Sequence, residues 1–141
     1  MNGVAAVLQV LAEHDGVTAI VPANGASPPR LVAGTVSQGA ALPWLAVRQV
    51  STVDAPIVEE GAQRHVTDRV QISIAAATYP ALKALEKAVK TACAGVRPEV
   101  AGINAVSMHV AAGGADGFDP AGQFPMSTRD VLVKYLEATA S

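Results

Sequence analysis

The sequence predicts one α/β (α+β) domain over residues 1–141, built as a four-stranded, mostly antiparallel or mixed sheet with two helices on one face, in the order α-β-β-α-β-β. The chain has 141 residues, which is the length of one average domain. Half of the residues are hydrophobic but only 4% are aromatic, so the core must be aliphatic. Segments of alternating polarity are separated by segments with helical spacing, and one sheet carrying two helices buries every apolar stripe.

The chain begins with an amphipathic helix. The helical spacing of the apolar residues predicts a helix over Asn2–His14, with Asn2 as a possible cap. We interpret Val17–Val21 as a short strand that ends at Pro22. The apolar stripe of the helix consists of Val4, Val7, Leu8 and Leu11.

Two strands follow a breaker-rich region. Pro22–Arg30 is predicted to be a loop, because it contains an Asn-Gly and a Pro-Pro pair. Trp44–Val53 is the first main strand, and Asp54–Gln63 is a long polar connection. His65–Ala76 shows the clearest alternation in the chain, which is typical of a strand with one buried and one wet face. Its apolar face carries Val66, Val70, Ile72, Ile74 and Ala76, and its polar face carries Thr67, Arg69, Gln71 and Ser73.

The second helix and the last two strands complete the pattern. Thr78, Tyr79 and Pro80 start a helix that Gly95 ends. Ile103–Ala112 and Ser127–Leu136 are predicted strands, joined by the Gly-rich loop Gly113–Pro125. The first two main strands can pair as one antiparallel hairpin, and the last two as another. In the helix, the pattern predicts a buried stripe of Leu82, Leu85, Val89 and Cys93, and a solvent face of Lys83, Glu86, Lys87 and Lys90.

Composition argues against several classes of function. The net charge is −2 and the basic residues are not clustered, which is unlike a nucleic-acid-binding protein. No apolar run approaches the ~20 residues that a membrane helix needs. The single Cys93 excludes an internal disulfide and a cysteine-based metal cage, and these features fit a protein made in a reducing cytoplasm.

The sequence offers no catalytic, cofactor-binding or metal-binding site, so we do not expect an enzyme. The three histidines are His14, His65 and His109, and none has a partner at helical metal-ligand spacing. Cys93 lies on an apolar stripe, where free cysteine acts as a small hydrophobe. The segment Gly113–Gly117 looks like a phosphate cradle but leads into a predicted strand, whereas phosphate loops precede a helix.

Several segments carry a family resemblance over nearly the whole length. Ala41–Val47 is a Pro-aromatic-apolar entry into a strand, and the strand Arg69–Ala76 followed by the helix Ala81–Ala94 is the most recognisable block. Arg129–Leu136 is a fitting last strand. Together with the N-terminal helix and the Pro-rich loop, they resemble the tail-completion, or tail-terminator, proteins of long-tailed bacteriophages and gene transfer agents.

The resemblance implies a structural virion protein without catalytic residues. Such a subunit forms a hexameric ring that caps the tail tube, ends tail polymerisation and presents a head-joining surface. Its expected partners are itself, the tail tube protein and a head-side connector or stopper protein, with DNA passing through the channel without specific binding and no membrane involved. The expected location is the head-proximal end of the virion tail, after assembly in the host cytoplasm. The alternatives are a neighbouring head–tail connector or minor tail protein, and a small ligand-binding or enzymatic α/β domain.

The candidate interface residues fall into two groups. Arg48, Arg69 and Gln71 lie on the wet faces of the predicted strands, where they are expected to join neighbouring subunits in the ring. The second group is acidic and lies in or beside the two long loops, where it is expected to meet the tube, the connector or a neighbouring subunit, or to border the channel. It consists of Asp54, Glu59, Glu60, Asp116 and Asp119.

Overall fold

The structure is a computed structural model that describes residues 2–21, 30–34, 42–55, 63–100, 103–113, 117–119 and 124–138. In these ranges the chain forms three helices and one mixed sheet of six strands, rather than the predicted four. The elements are α1 (Asn2–Glu13), α2 (Asp15–Thr18), β1 (Leu31–Ala33), β2 (Trp44–Ala55), β3 (Gln63–Ala75), α3 (Tyr79–Cys93), β4 (Asn104–Gly113), β5 (Gly117–Asp119) and β6 (Phe124–Ala138).

The strand order is β1-β2-β3-β6-β4, with β5 pairing to the beginning of β6. β1 runs parallel to β2, and all the other pairs are antiparallel. The two predicted hairpin pairings are both present, as β2 with β3 and as β4 with β6. β3 and β6 form the centre of the sheet and stay in register from Gln63 opposite Ala138 to Ala75 opposite Met126.

The alternation in β3 decides which face of the sheet is buried. Val66, Val70, Ile72 and Ile74 are all buried, as predicted. They face α1 and α3, which pack against each other and against the central strands. Residues directly opposite each other share a face, so Leu45, which pairs with Ile74, is also in the core. The predicted arrangement of two main helices on one face is confirmed.

The ends of α3 follow the predicted signals. The Thr78 side chain accepts a hydrogen bond from the Ala81 backbone N–H at 3.3 Å, which satisfies one of the free donors in the first turn. Gly95 follows the helix with a φ of +64°, a left-handed conformation that side chains disfavour. Leu82, Leu85, Val89 and Cys93 are buried as expected.

The predicted strand Val17–Val21 is wrong, because this segment begins as the short helix α2. The carbonyl oxygen of His14 accepts hydrogen bonds from Val17 and Thr18, and that of Val17 accepts one from Val21. Val17 and Val21 are both fully buried. Their i,i+4 spacing brings both side chains to the same side of a helical turn. The sequence pattern alone did not distinguish a short strand from such a turn.

Two additional strands are present. β1 follows the predicted loop Pro22–Arg30, in residues for which the pattern predicts no element, and β5 lies inside the predicted loop Gly113–Pro125. β2 and β3 also extend into the predicted connection Asp54–Gln63. In each case a long neighbouring strand provides backbone hydrogen-bond partners that the local sequence pattern does not reveal.

The predicted exposure of Glu86 is also wrong, because this side chain is buried against the sheet. Its carboxyl group accepts a hydrogen bond from the Ser127 hydroxyl and lies 3.0 Å from Lys83 Nζ. Arg129 Nη2 lies 3.9 Å away. The buried stripe of α3 is therefore wider than its apolar residues indicate, because β6 provides polar partners for one carboxyl group.

A second buried carboxyl group caps α1. Asp68 is only 1% exposed and accepts hydrogen bonds from the Gly3 backbone N–H and the Tyr135 hydroxyl, each at 2.9 Å, and from the Thr52 hydroxyl. A Cβ atom on Gly3 would lie 2.5 Å from Asp68 Oδ2, so glycine permits this close approach. The predicted cap, Asn2, is the first residue of the helix.

Replacing Asp68 with alanine is expected to lower the free energy of unfolding by roughly 2–4 kcal/mol, because it leaves the buried Gly3 N–H without its acceptor and removes the hydrogen bonds from Thr52 and Tyr135. Asp130→Ala is the control, because it removes a carboxylate from a partly exposed ion pair, which contributes about 0–1 kcal/mol. Chemical denaturation of both variants measures the difference. Equal losses would show that the Asp68 contacts do not hold α1 to the sheet.

Candidate assembly surface

The sheet has an outer face, opposite the helices, that carries three of the eight predicted interface side chains. Arg48 on β2 is exposed, and Gln71 and Arg69 on β3 are half-buried. Arg48 lies directly opposite Gln71 in the sheet register. The sequence pattern therefore placed these three residues on one face correctly, although nothing in it showed which of them are neighbours.

Polar contacts link these side chains across three strands. Arg48 donates hydrogen bonds to the amide oxygen of Gln71, at 3.0 Å from Nε and 2.8 Å from Nη2. Arg69 Nη1 lies 3.3 Å from Asp130 Oδ2 on β6. Asp130 was not predicted as part of this surface. It belongs to the outward-facing set of the last strand, but finding it requires the β3–β6 register.

The outer face is positively charged although the whole chain is not. Arg48, Arg69 and Lys134 oppose the single Asp130 among the described side chains of this face, so three cations and one anion leave a net charge of +2. The formal charge of the chain is −2. Such a separation of charge favours a partner surface that carries carboxylates.

One corner of the outer face is apolar. The rings of Trp44 on β2 and Phe124 on β6 meet edge-to-face with centroids 6.0 Å apart. Ala75 lies between their strands, opposite both Trp44 and Met126, and is fully buried. The two rings cover the outer face at this corner. The charged centre of the sheet is the accessible part of the outer face.

Two of the acidic candidates, Asp54 and Asp119, have described backbones, which lie at opposite ends of the sheet. Asp54 is near the end of β2, where its backbone pairs with Val66, and Asp119 is in β5, where its backbone pairs with Phe124. Val66 pairs in turn with Tyr135 on β6, which lies 11 residues beyond Phe124. The backbones of Asp54 and Asp119 are therefore separated by roughly 35 Å along the strand direction. Three other acidic candidates lie outside the described residues: Glu59, Glu60 and Asp116.

The described residues present no recognisable catalytic or metal centre. Within them, no group of three or more His, Cys, Asp or Glu side chains is placed to hold a metal ion. A cavity of about 680 Å³ lies beside the first residues of β4, and its charged lining consists of Arg97 and Glu99. His65 and His109 are exposed on different strands of the outer face.

The described helices include none that is long and apolar enough to cross a membrane.

In the described part of the chain, helices cover one face of the sheet and the other face carries charged side chains. The chain matches the family model of tail completion protein gp17 over residues 5–125, so it belongs to that family. It is therefore a structural protein of a phage tail and part of the virion, and the resemblance predicted from the sequence is confirmed. No curated protein matches the chain significantly.

The thiol of Cys93 is expected to be unreactive in the folded protein, because burial raises its pKa to about 12. The thiolate is the reactive form, and at pH 8 its fraction would be on the order of 10⁻⁴. Ellman's reagent should therefore label the native chain very slowly and the guanidinium-denatured chain at once and stoichiometrically. Rapid labelling of the native chain would show that Cys93 is not buried in the folded protein.

Proposed function

We propose that this protein forms a hexameric ring that caps the tail tube, ends tail polymerisation and provides the head-joining surface. The observation that carries the proposal is the uncovered, positively charged outer face in a chain of the tail completion family. A subunit that builds a ring needs an accessible surface that its own helices do not cover, and this face meets that condition.

The contact between neighbouring subunits uses the centre of this face. A closed ring requires two different patches on each subunit, since its contacts are heterologous. Arg48, Arg69 and Gln71 form one of the two patches. Their present partners are weak ones: Gln71 is neutral, and the Arg69–Asp130 pair is partly exposed and contributes about 1 kcal/mol at most. A neighbour can therefore replace these contacts at little cost.

The acidic residues serve the two ends of the subunit. Asp54, with Glu59 and Glu60 after it in the sequence, belongs to one end of the sheet, and Asp119, with Asp116 before it, belongs to the other. A ring that contacts a tube on one side and a head connector on the other needs two such ends. Carboxylates beside the channel would also repel passing DNA, because like charges at short range repel.

Reversing the charge of Arg69 to glutamate is expected to weaken ring assembly at least tenfold without unfolding the subunit. The new carboxylate would face Asp130 and would reverse the sign of the contact. Negative-stain microscopy at high subunit concentration counts the rings, and the growth of tube from purified tube subunits measures capping. Lys87→Glu is the matched control, because Lys87 is exposed on α3, on the opposite side of the sheet.

If Arg69→Glu and Lys87→Glu assemble and cap equally well, the centre of the outer face is solvent-exposed in the tail and the ring contact lies elsewhere. If neither variant nor the natural chain caps growing tubes, the proposed capping function itself is wrong.

Neutralising the two acidic groups separately is expected to produce different defects. Glu59→Gln with Glu60→Gln should impair one docking step, and Asp116→Asn with Asp119→Asn should impair the other, because Asp54, which precedes the first pair in the sequence, and Asp119 lie at opposite ends of the sheet. Electron microscopy distinguishes tails of abnormal length from tails of normal length that lack heads. Wild-type tail length and head joining in both double variants would exclude a docking role for these carboxylates.

A further inference from the structure

The outer edge of β2 is paired over only a quarter of its length. β1 lies opposite Leu45 to Val47 and separates from β2 at Gly34, whose N–H donates to the Val47 carbonyl at 2.8 Å. Among the described residues no strand pairs with this edge from Arg48 to Ala55. An unpaired strand edge is a row of backbone donors and acceptors that another extended segment can satisfy.

Two of the side chains along this edge are apolar and exposed. Val50 is 49% exposed and Val53 is 62% exposed, which makes them two of the four large exposed hydrophobic residues in the described part of the chain. A groove of about 310 Å³ adjoins the point where β1 ends, and its lining includes Val4, Ala33 and Val47. The edge therefore offers apolar contact surface in addition to backbone hydrogen bonds.

One positive charge on this edge has no acidic partner among the described residues. Arg48 lies at the beginning of the open edge and also lines the groove. Its guanidinium donates to the neutral amide oxygen of Gln71. A carboxylate on an incoming segment would compensate this charge and could form a charge-assisted hydrogen bond.

The opposite edge of the sheet, in a second copy of the chain, is a poor match for β2. Val96 already occupies the middle of β4, through hydrogen bonds in both directions with Met108 at 2.9 and 3.2 Å. β4 also carries two register irregularities, between Asn104 and Ser107 and between Val110 and Ala112. Irregularities of this kind protect an edge from pairing with another strand.

We propose that the open edge of β2 binds an extended segment of a different tail protein, which continues the sheet beside β2 where β1 ends. The segment presents apolar residues at alternate positions towards the groove, and at the intervening positions on the outer face it presents a carboxylate towards Arg48 and an apolar residue towards Val53. Backbone pairing supplies the affinity and the side chains supply the choice of partner. The proposal rests on the chain being a tail protein, and it does not depend on the ring or on capping.

Hydrogen exchange on the natural protein tests whether the edge becomes paired. Amides within residues 48–55 that point away from β3 should exchange at least a hundredfold more slowly in purified tails than in the free subunit. Residues 77–79 are the matched region, because Tyr79 at the start of α3 is also exposed, at 53%, and lies outside the proposed contact surfaces. Unchanged exchange at residues 48–55 would overturn the proposal, whether or not the protein caps tubes.

Photo-crosslinking then identifies the bound segment. Benzoylphenylalanine replaces Val53 in one variant and Tyr79 in the control, and each variant is assembled into tails before irradiation and mass spectrometry. We expect Val53 to crosslink to an alternating apolar segment of another tail protein that Tyr79 does not reach. Crosslinks from Val53 only to a second copy, only to its own chain, or to nothing would each overturn the proposal. Ring counts and tube capping, measured on the same tails, report on the proposed function separately.

Discussion

The architecture depends on one buried carboxyl group, that of Asp68, which joins four elements of the fold. It lies on β3 and accepts hydrogen bonds from α1, β2 and β6. Apolar packing alone would hold α1 against the sheet without choosing its position along the strands, since the hydrophobic effect is not directional. The Asp68–Gly3 contact makes that choice, because a buried carboxyl group without its donors would be costly.

Glu86 performs a comparable role for α3. Its carboxyl group accepts a hydrogen bond from the Ser127 hydroxyl on β6 and lies beside Lys83 of its own helix. The two helices are thus attached to the two central strands, α1 to β3 and α3 to β6. These strands pair over almost their full length, so the helical layer and the sheet form one unit with a single covered face.

In the described part of the chain, the helices cover only one face of the sheet. The outer face is cationic at its centre and apolar at the Trp44 corner. No described strand pairs with the outer edge of β2 from Arg48 to Ala55, whereas the edge of β4 is partly closed by Val96. The described part of this phage tail protein is therefore asymmetric both across the sheet and between its edges.

The sequence by itself determined the elements with strong periodicity and what they expose. The alternation in β3 identified the buried face and placed Arg69 and Gln71 on the other, and the Thr78 and Gly95 signals bounded α3. The family pattern also lay in the sequence, because it consists of these same apolar alternations. Tertiary structure decided the rest. The helical form of α2 accompanies the burial of Val17 and Val21, and β1 and β5 form beside the long strands β2 and β6. The burial of Asp68 and Glu86 depends on partners far away in the chain. The local spacing of residues does not indicate these distant partners. The hydrogen bond from Gly3 to Asp68, for example, joins two residues that are 65 positions apart in the sequence and that only folding brings together.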